Sequence, residues 1–126
     1  MIEKFIAKVP TRIWAEGRPS QARQWDSEFN VASWVRFAGG VGQVQLVVRC
    51  MDDKDDRAMV VDTAEVGGDG SALLSGMIRL RLTAAIEQVQ ISLRLSDPAL
   101  NHVVEELFMQ RRGAALRPSD KLISNF

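Results

Sequence analysis

Tyrosine is absent from this 126-residue chain, and cysteine and histidine occur once each. A single cysteine, Cys50, excludes an intrachain disulfide and any multi-cysteine metal site. A single histidine, His102, excludes a histidine metal pair. Beside Asn101, in an expected turn, it reads as a surface residue rather than a general base. No G-x-S-x-G elbow surrounds a serine, and no G-x-x-x-x-G-K-[ST] loop occurs, so the nucleophile and phosphate-cradle templates are both missing. Basic and acidic residues balance at 16 each, with a pI near 6.6. General affinity for nucleic acid or an anionic membrane needs a cation excess that this chain lacks. Nothing approaches the roughly 18 consecutive apolar residues of a membrane span. Glu3, Lys4 and Lys8 interrupt the apolar stretch that a secretory signal requires, so a cytoplasmic protein or domain is expected. No enzyme activity, cofactor or metal is expected. The cluster Asp52, Asp53, Asp55 and Asp56 lacks the spacing of a calcium loop and carries Lys54 in its middle, which suits a solvated hairpin tip.

What is present is ordinary globular composition, 46% hydrophobic and 25% charged. One domain over residues 1–112 is expected, with 113–126 as a C-terminal tail. Hydrophobic side chains recur with period two, the spacing of a strand with one buried face. Phe5, Ala7, Val9, Thr11 and Ile13 make a first run, which Pro10 confines to an edge or a bulge. Phe29, Val31, Val35 and Phe37 form one face of a second run, with Asn30, Trp34 and Arg36 on the other. After Gly39-Gly40-Val41-Gly42, the residues Val44, Leu46, Val48 and Cys50 alternate with Gln43, Gln45, Val47 and Arg49. Ala58–Thr63 follows, then a glycine turn at Gly67–Gly70, then Ile78, Leu80 and Leu82, and finally Val89, Ile91, Leu93 and Leu95. Short strands with glycine turns and no intervening helices predict an antiparallel β-sandwich or barrel.

Residues 98–112 carry a competing signal. Asp97-Pro98 has the form of a helix N-cap and first turn, and Gly113 that of a C-cap. Leu100, Val103, Val104, Leu107, Phe108 and Arg111 recur at helical intervals. The same residues permit a strand, with Val104, Glu106, Phe108 and Gln110 against Val103, Glu105, Leu107 and Met109. Local propensity alone favours a single C-terminal helix.

The alternation places Trp34 on a polar face with Arg36, and sends Gln45, Arg79, Arg81, Gln90 and Arg94 away from the apolar side of their strands. Any sandwich shows water a polar outer face. A flat aromatic amid amide and guanidinium donors also holds what a sugar requires, a surface for its C–H groups and partners for its hydroxyls.

From about residue 29 to 110 the chain resembles the jelly-roll carbohydrate-binding modules found beside glycoside hydrolases, and the wider galactose-binding-like sandwiches. The likeness rests on Phe29-Asn30-Val31-Ala32-Ser33-Trp34-Val35-Arg36 with Gly39-Gly40, similar to "Y-T-x-S-x-W-V-K". It continues through Val44–Arg49, through Leu74-Ser75-Gly76-Met77-Ile78, similar to "L-S-G-x-[IF]", and through Val104-Glu105-Glu106-Leu107-Phe108, similar to a closing "[VI]-D-[DE]-[VL]" strand. The resemblance implies an all-β jelly roll and favours a strand over residues 103–110. It also implies non-catalytic binding of a glycan, with Trp34 as platform and Arg36, Gln45 and Arg81 as hydrogen-bond donors. The arginines add a bias toward acidic sugars. A protein-interaction or scaffolding sandwich, engaging a protein partner through strand edges, is the alternative.

Overall fold

The computed structural model describes residues 1–67, 70–86, 88–114 and 117–124, with only the backbone of Ser119. Strands β1 (Ile2–Lys8), β2 (Gln24–Ala38), β3 (Val41–Met51), β4 (Asp56–Gly67), β5 (Gly70–Thr83), β6 (Gln88–Leu95), β7 (Asn101–Arg111) and β8 (Lys121–Ser124) are joined by one short helix, α1 (Thr11–Ala15), and a 3-10 turn at Pro118–Asp120. One sheet has the order β1-β6-β3-β4 and the other β5-β2-β7-β8, and every neighbouring pair is antiparallel. The chain changes sheet at every strand connection except β3–β4 and β7–β8. The result is an antiparallel sandwich of jelly-roll type.

The period-two runs build its interior. Phe29, Val31, Val35 and Phe37 are buried from β2, and Val44, Leu46, Val48 and Cys50 from β3. Ile78, Leu80 and Leu82 of β5 and Val89, Ile91, Leu93 and Leu95 of β6 complete the same cluster. Asp52 shapes the β3–β4 hairpin, its Oδ1 accepting the backbone N–H of Lys54 at 2.8 Å and of Asp55 at 2.7 Å. The tip of the Gly67–Gly70 turn lies outside the described residues.

Two expectations are corrected, and the competing signal over 98–112 is decided in favour of the strand. The first run is not one strand: β1 ends at Lys8, and Thr11–Ala15 is helical, because Pro10 cannot donate to a ladder but can precede a helix. A register shift between Phe5 and Ala7 breaks the alternation, leaving Phe5 59% exposed while Val9 and Ile13 are buried. Residues 98–112 form no helix. Asp97-Pro98 opens a tight turn in which Leu100 N–H donates to the Asp97 carbonyl at 3.1 Å. β7 then pairs with β2 and β8 and buries Leu107 and Met109 completely, so tertiary pairing overrides local propensity. The stretch read as a tail, 113–126, contributes β8, an edge strand on β7.

Both sides of the sandwich are closed by specific contacts. A bulge in the β3–β4 ladder leaves Val61 as an extra residue between Asp62 and Val60. The Val61 carbonyl comes so close to β5 that a Cβ on Gly76 would lie 2.6 Å from its oxygen. Beside it Asp62 Oδ2 accepts the Ser75 N–H at 2.9 Å, and Arg57 Nη2 donates to the Arg81 carbonyl at 2.9 Å. Charged side chains on β4 thus cap the edge of β5, which guards both edges against foreign strands. Elsewhere α1, with Ile13 and Trp14 buried, is tied to the C-terminal turn. Arg12 Nη1 lies 3.1 Å from Asp120 Oδ1, and Arg117 Nη1 lies 2.9 Å from Glu16 Oε1.

Replacing Leu46 by Ala is expected to cost about 2–5 kcal/mol, as lost burial plus a residual cavity. Gly76→Ala adds a single methyl, yet is expected to cost about 1–3 kcal/mol because the atom it meets is a backbone oxygen. Urea midpoints of the two variants test both values, and a neutral Gly76→Ala would mean that the β4–β5 seam can part freely.

Candidate functional site

Even-numbered residues of β2 face outward from the β5-β2-β7-β8 sheet. Trp34 stands there 38% exposed, opposite Leu73 of β5 and Glu106 of β7. The other tryptophans, Trp14 and Trp25, are buried in the core. Ala32, Ser33, Trp34, Leu73, Glu106 and Phe108 line a shallow groove of about 320 Å³. A second groove, of about 530 Å³, adjoins it at Glu106 and Phe108 and extends to Arg117, Pro118 and Lys121. Together they form an open trough running across the strands, aromatic in the middle and charged toward β8.

A bulge shapes this trough. Trp34 pairs with Glu106 but Val35 pairs with Val104, so Glu105 is the extra residue in β7. The buried Ser33 hydroxyl donates to the Glu106 carbonyl at 2.9 Å, which explains a polar side chain on the core face. Two adjacent carboxylates consequently lie near Trp34. Glu105 Oε1 is 3.6 Å from Arg36 Nε, and Glu106 Oε1 is 3.2 Å from Lys121 Nζ. Among the described residues no donor reaches Glu106 Oε2, so this oxygen can accept from a ligand hydroxyl.

Of the four residues expected to bind, the structure brings together two. Trp34 and Arg36 share the outer face of β2. Arg81 is on the same sheet but opposite Asp26, eight residues along β2, roughly 27 Å away at 3.3–3.4 Å per residue. Its Nε lies 3.5 Å from Asp26 Oδ1. Gln45 lies in β3, in the other sheet, beside Arg94 and Thr63. Alternation reveals which face of a strand a residue occupies, not which sheet the strand joins. Leu73, Glu106, Phe108, Arg117 and Lys121 were missed as site residues. The strand alternative for 103–110 did put Glu106 and Phe108 on one face, but Arg117 and Lys121 fell in the supposed tail.

The remaining candidates are unremarkable chemically. Burial pushes the Cys50 thiol up to about 11, so it stays protonated and inert. Burial first, and then the positive charge of Lys4, lowers the pKa of His102.

No protein-family model matches the chain, and no curated protein matches it. Among solved structures, its fold is similar to that of the Clostridium thermocellum endo-1,4-beta-D-xylanase 10B, in a crystal structure of the CBM22-1-GH10 modules complexed with xylohexaose. The TM-score is 0.55 and the identity 14%, over 72% of this chain and 18% of that one. The matched part is the non-catalytic carbohydrate-binding module. At this identity the likeness is one of fold, and the fold agrees with the one implied by the Phe29–Arg36 and Leu74–Ile78 motifs.

On the opposite outer face, where Gln45 lies, the charged residues partner one another. Glu3 accepts from Arg49 through both oxygens, at 2.8 and 3.1 Å, and from Arg94 Nε at 2.9 Å, while Arg49 also reaches Asp56 at 2.8 Å. The Arg49 hydrogen bonds, reinforced by Arg94, hold the Glu3 carboxyl below its ordinary value of 4.5. A depressed folded-state pKa means stability that is present above about pH 4.5 and lost as pH falls through the folded value. Wild type is therefore expected to be more stable than Glu3→Gln at neutral pH, with the gap closing on acidification. Melting temperatures of the two proteins across pH 3–7 test this, and a constant gap would contradict it.

Proposed function

We propose that this chain is a non-catalytic glycan-binding module that takes a polysaccharide across the outer face of the β5-β2-β7-β8 sheet. The observation that carries the reading is Trp34, exposed on an open sheet face, at the centre of a trough with a carboxylate at its side. A pyranose ring stacks on a flat indole with large contact and little loss of side-chain freedom. Glu106 Oε2 accepts from one sugar hydroxyl and the Lys121 ammonium donates to another. Because the trough is shallow and crosses the strands, a polymer can lie along it rather than end in it. The cations beside Trp34 are each paired with a carboxylate, which favours a neutral chain there over an acidic one. A xylan-type polysaccharide is the first ligand to try, since the similar fold is known in complex with xylohexaose.

A protein partner is the second reading. It is favoured by the apolar residues around the trough, Leu73 at 55% exposure, Met77 at 52% and Val103 at 44%.

Affinity electrophoresis through gels containing xylan separates the two. Wild type is expected to be retarded, and Trp34→Ala to run as in a blank gel while remaining folded, with a lowered but cooperative urea transition, because Trp34 lies outside the sandwich core. Equal retardation of wild type and Trp34→Ala would remove Trp34 from the site. No retardation on xylan or any other polysaccharide would leave the protein-partner reading.

A further inference from the structure

Beyond Trp34, toward the turn between β2 and β3, a pit of about 280 Å³ opens on the outer face of the same sheet. Arg36, Ala38, Gly70, Ser71, Asn101 and Val103 line it. Strand register explains why they meet. Arg36 of β2 lies opposite Ser71 of β5 and Val103 of β7, and Ala38 lies opposite Asn101. The bulge at Glu105 takes part, because it turns Val104 to the core and leaves Val103 on the outer side, 44% exposed. The two smallest lining residues keep the pit open, and a Cβ on Gly70 would meet nothing within 4 Å.

Its chemistry differs from that of the trough. Arg36 Nε lies 3.6 Å from Glu105 Oε1, which balances the guanidinium charge. No acceptor is in hydrogen-bond reach of the Arg36 Nη groups among the described residues. The Ser71 hydroxyl and the Asn101 amide likewise form no hydrogen bond there. Arg36 supplies donors only, whereas Ser71 and Asn101 can each donate and accept. Val103 adds an apolar contact. Donors and acceptors side by side with no net charge match the hydroxyls of a neutral sugar, which also donate and accept, better than they match an anion.

We propose that the pit is a subsite for one neutral sugar branching from the polymer stacked on Trp34, so that the module reads a branched polysaccharide rather than a bare one. The inference rests on the glycan reading of the trough. Arg36 follows Trp34 by two residues on the same face of β2, a step of roughly 7 Å. The trough leads from Trp34 across the strands toward β8, whereas the pit lies along β2, off that axis. A linear chain in the trough passes beside the pit, and only a side group on the ring at Trp34 reaches into it. At about 280 Å³ the pit is smaller than the roughly 300–1,000 Å³ of sites for drug-sized ligands, which suits one ring and not a chain.

Affinity electrophoresis with two polymers of one backbone tests the subsite: linear xylan, and arabinoxylan, which carries neutral single-sugar branches. Wild type is expected to bind arabinoxylan more tightly. Asn101→Ala and Ser71→Ala, both at exposed positions, are each expected to weaken binding to arabinoxylan about fivefold, the loss of one hydrogen bond, and to leave linear xylan unchanged. Trp34→Ala is expected to lose both polymers. Equal affinity of wild type for the two, both variants binding arabinoxylan as wild type does, or losses that fall alike on both polymers would overturn the branch subsite while leaving the trough standing. Wild type that binds neither polymer would overturn the glycan reading, and the branch subsite with it.

Discussion

The hydrogen bond from the buried Ser33 hydroxyl to the Glu106 carbonyl is where the demands of the core and of the outer surface meet. β7 must bury Leu107 and Met109 and also supply an outward carboxylate opposite Trp34. The bulge at Glu105 interrupts the ladder there, and backbone groups facing the core need a partner. Ser33 answers with a side chain small enough to leave the packing undisturbed. On one side of this bond is the sandwich interior, and on the other the trough. A change at Ser33 would therefore be felt on both.

The two outer faces have opposite characters for reasons that can be read residue by residue. On the β1-β6-β3-β4 sheet, Glu3, Arg49, Arg94 and Asp56 satisfy one another, and Val47 and Ser92 are buried. Its charged residues are paired with one another, while Phe5, Met59 and Val60 are exposed on its edge strands. On the β5-β2-β7-β8 sheet, the middle rows carry Leu73, Trp34, Ala32 and Phe108, which do not satisfy one another. Apolar exposure grouped in this way is what marks a surface for contact.

Strand content was legible because the apolar inward residues of β2, β3, β5 and β6 recur with period two over most of each run. Where a register shift intervenes, as between Phe5 and Ala7, alternation assigns the wrong face. Residues 98–112 satisfy both a helical and a strand pattern, and only pairing with β2 and β8 decides between them. The site was half legible. Trp34 and Arg36 lie in one strand and could be joined by counting, whereas Gln45 depends on the sheet that β3 enters. Lys121 and Arg117 depend on a short strand that has no pattern of its own and exists because β7 offers it an edge.

That short strand forms one wall of the trough. β8 spans four residues and pairs with one neighbour, and its approach is held by the Arg12–Asp120 and Arg117–Glu16 ion pairs. Arg117–Glu16 is exposed and contributes little, whereas the buried Asp120 also accepts the Arg117 N–H. β8 has a single pairing partner, and its parting from β7 would carry Lys121 away while leaving Trp34 in place. Added salt screens these pairs and so would loosen the wall that Lys121 contributes. A ligand seated against Lys121 would, by the same linkage, favour the paired position of β8.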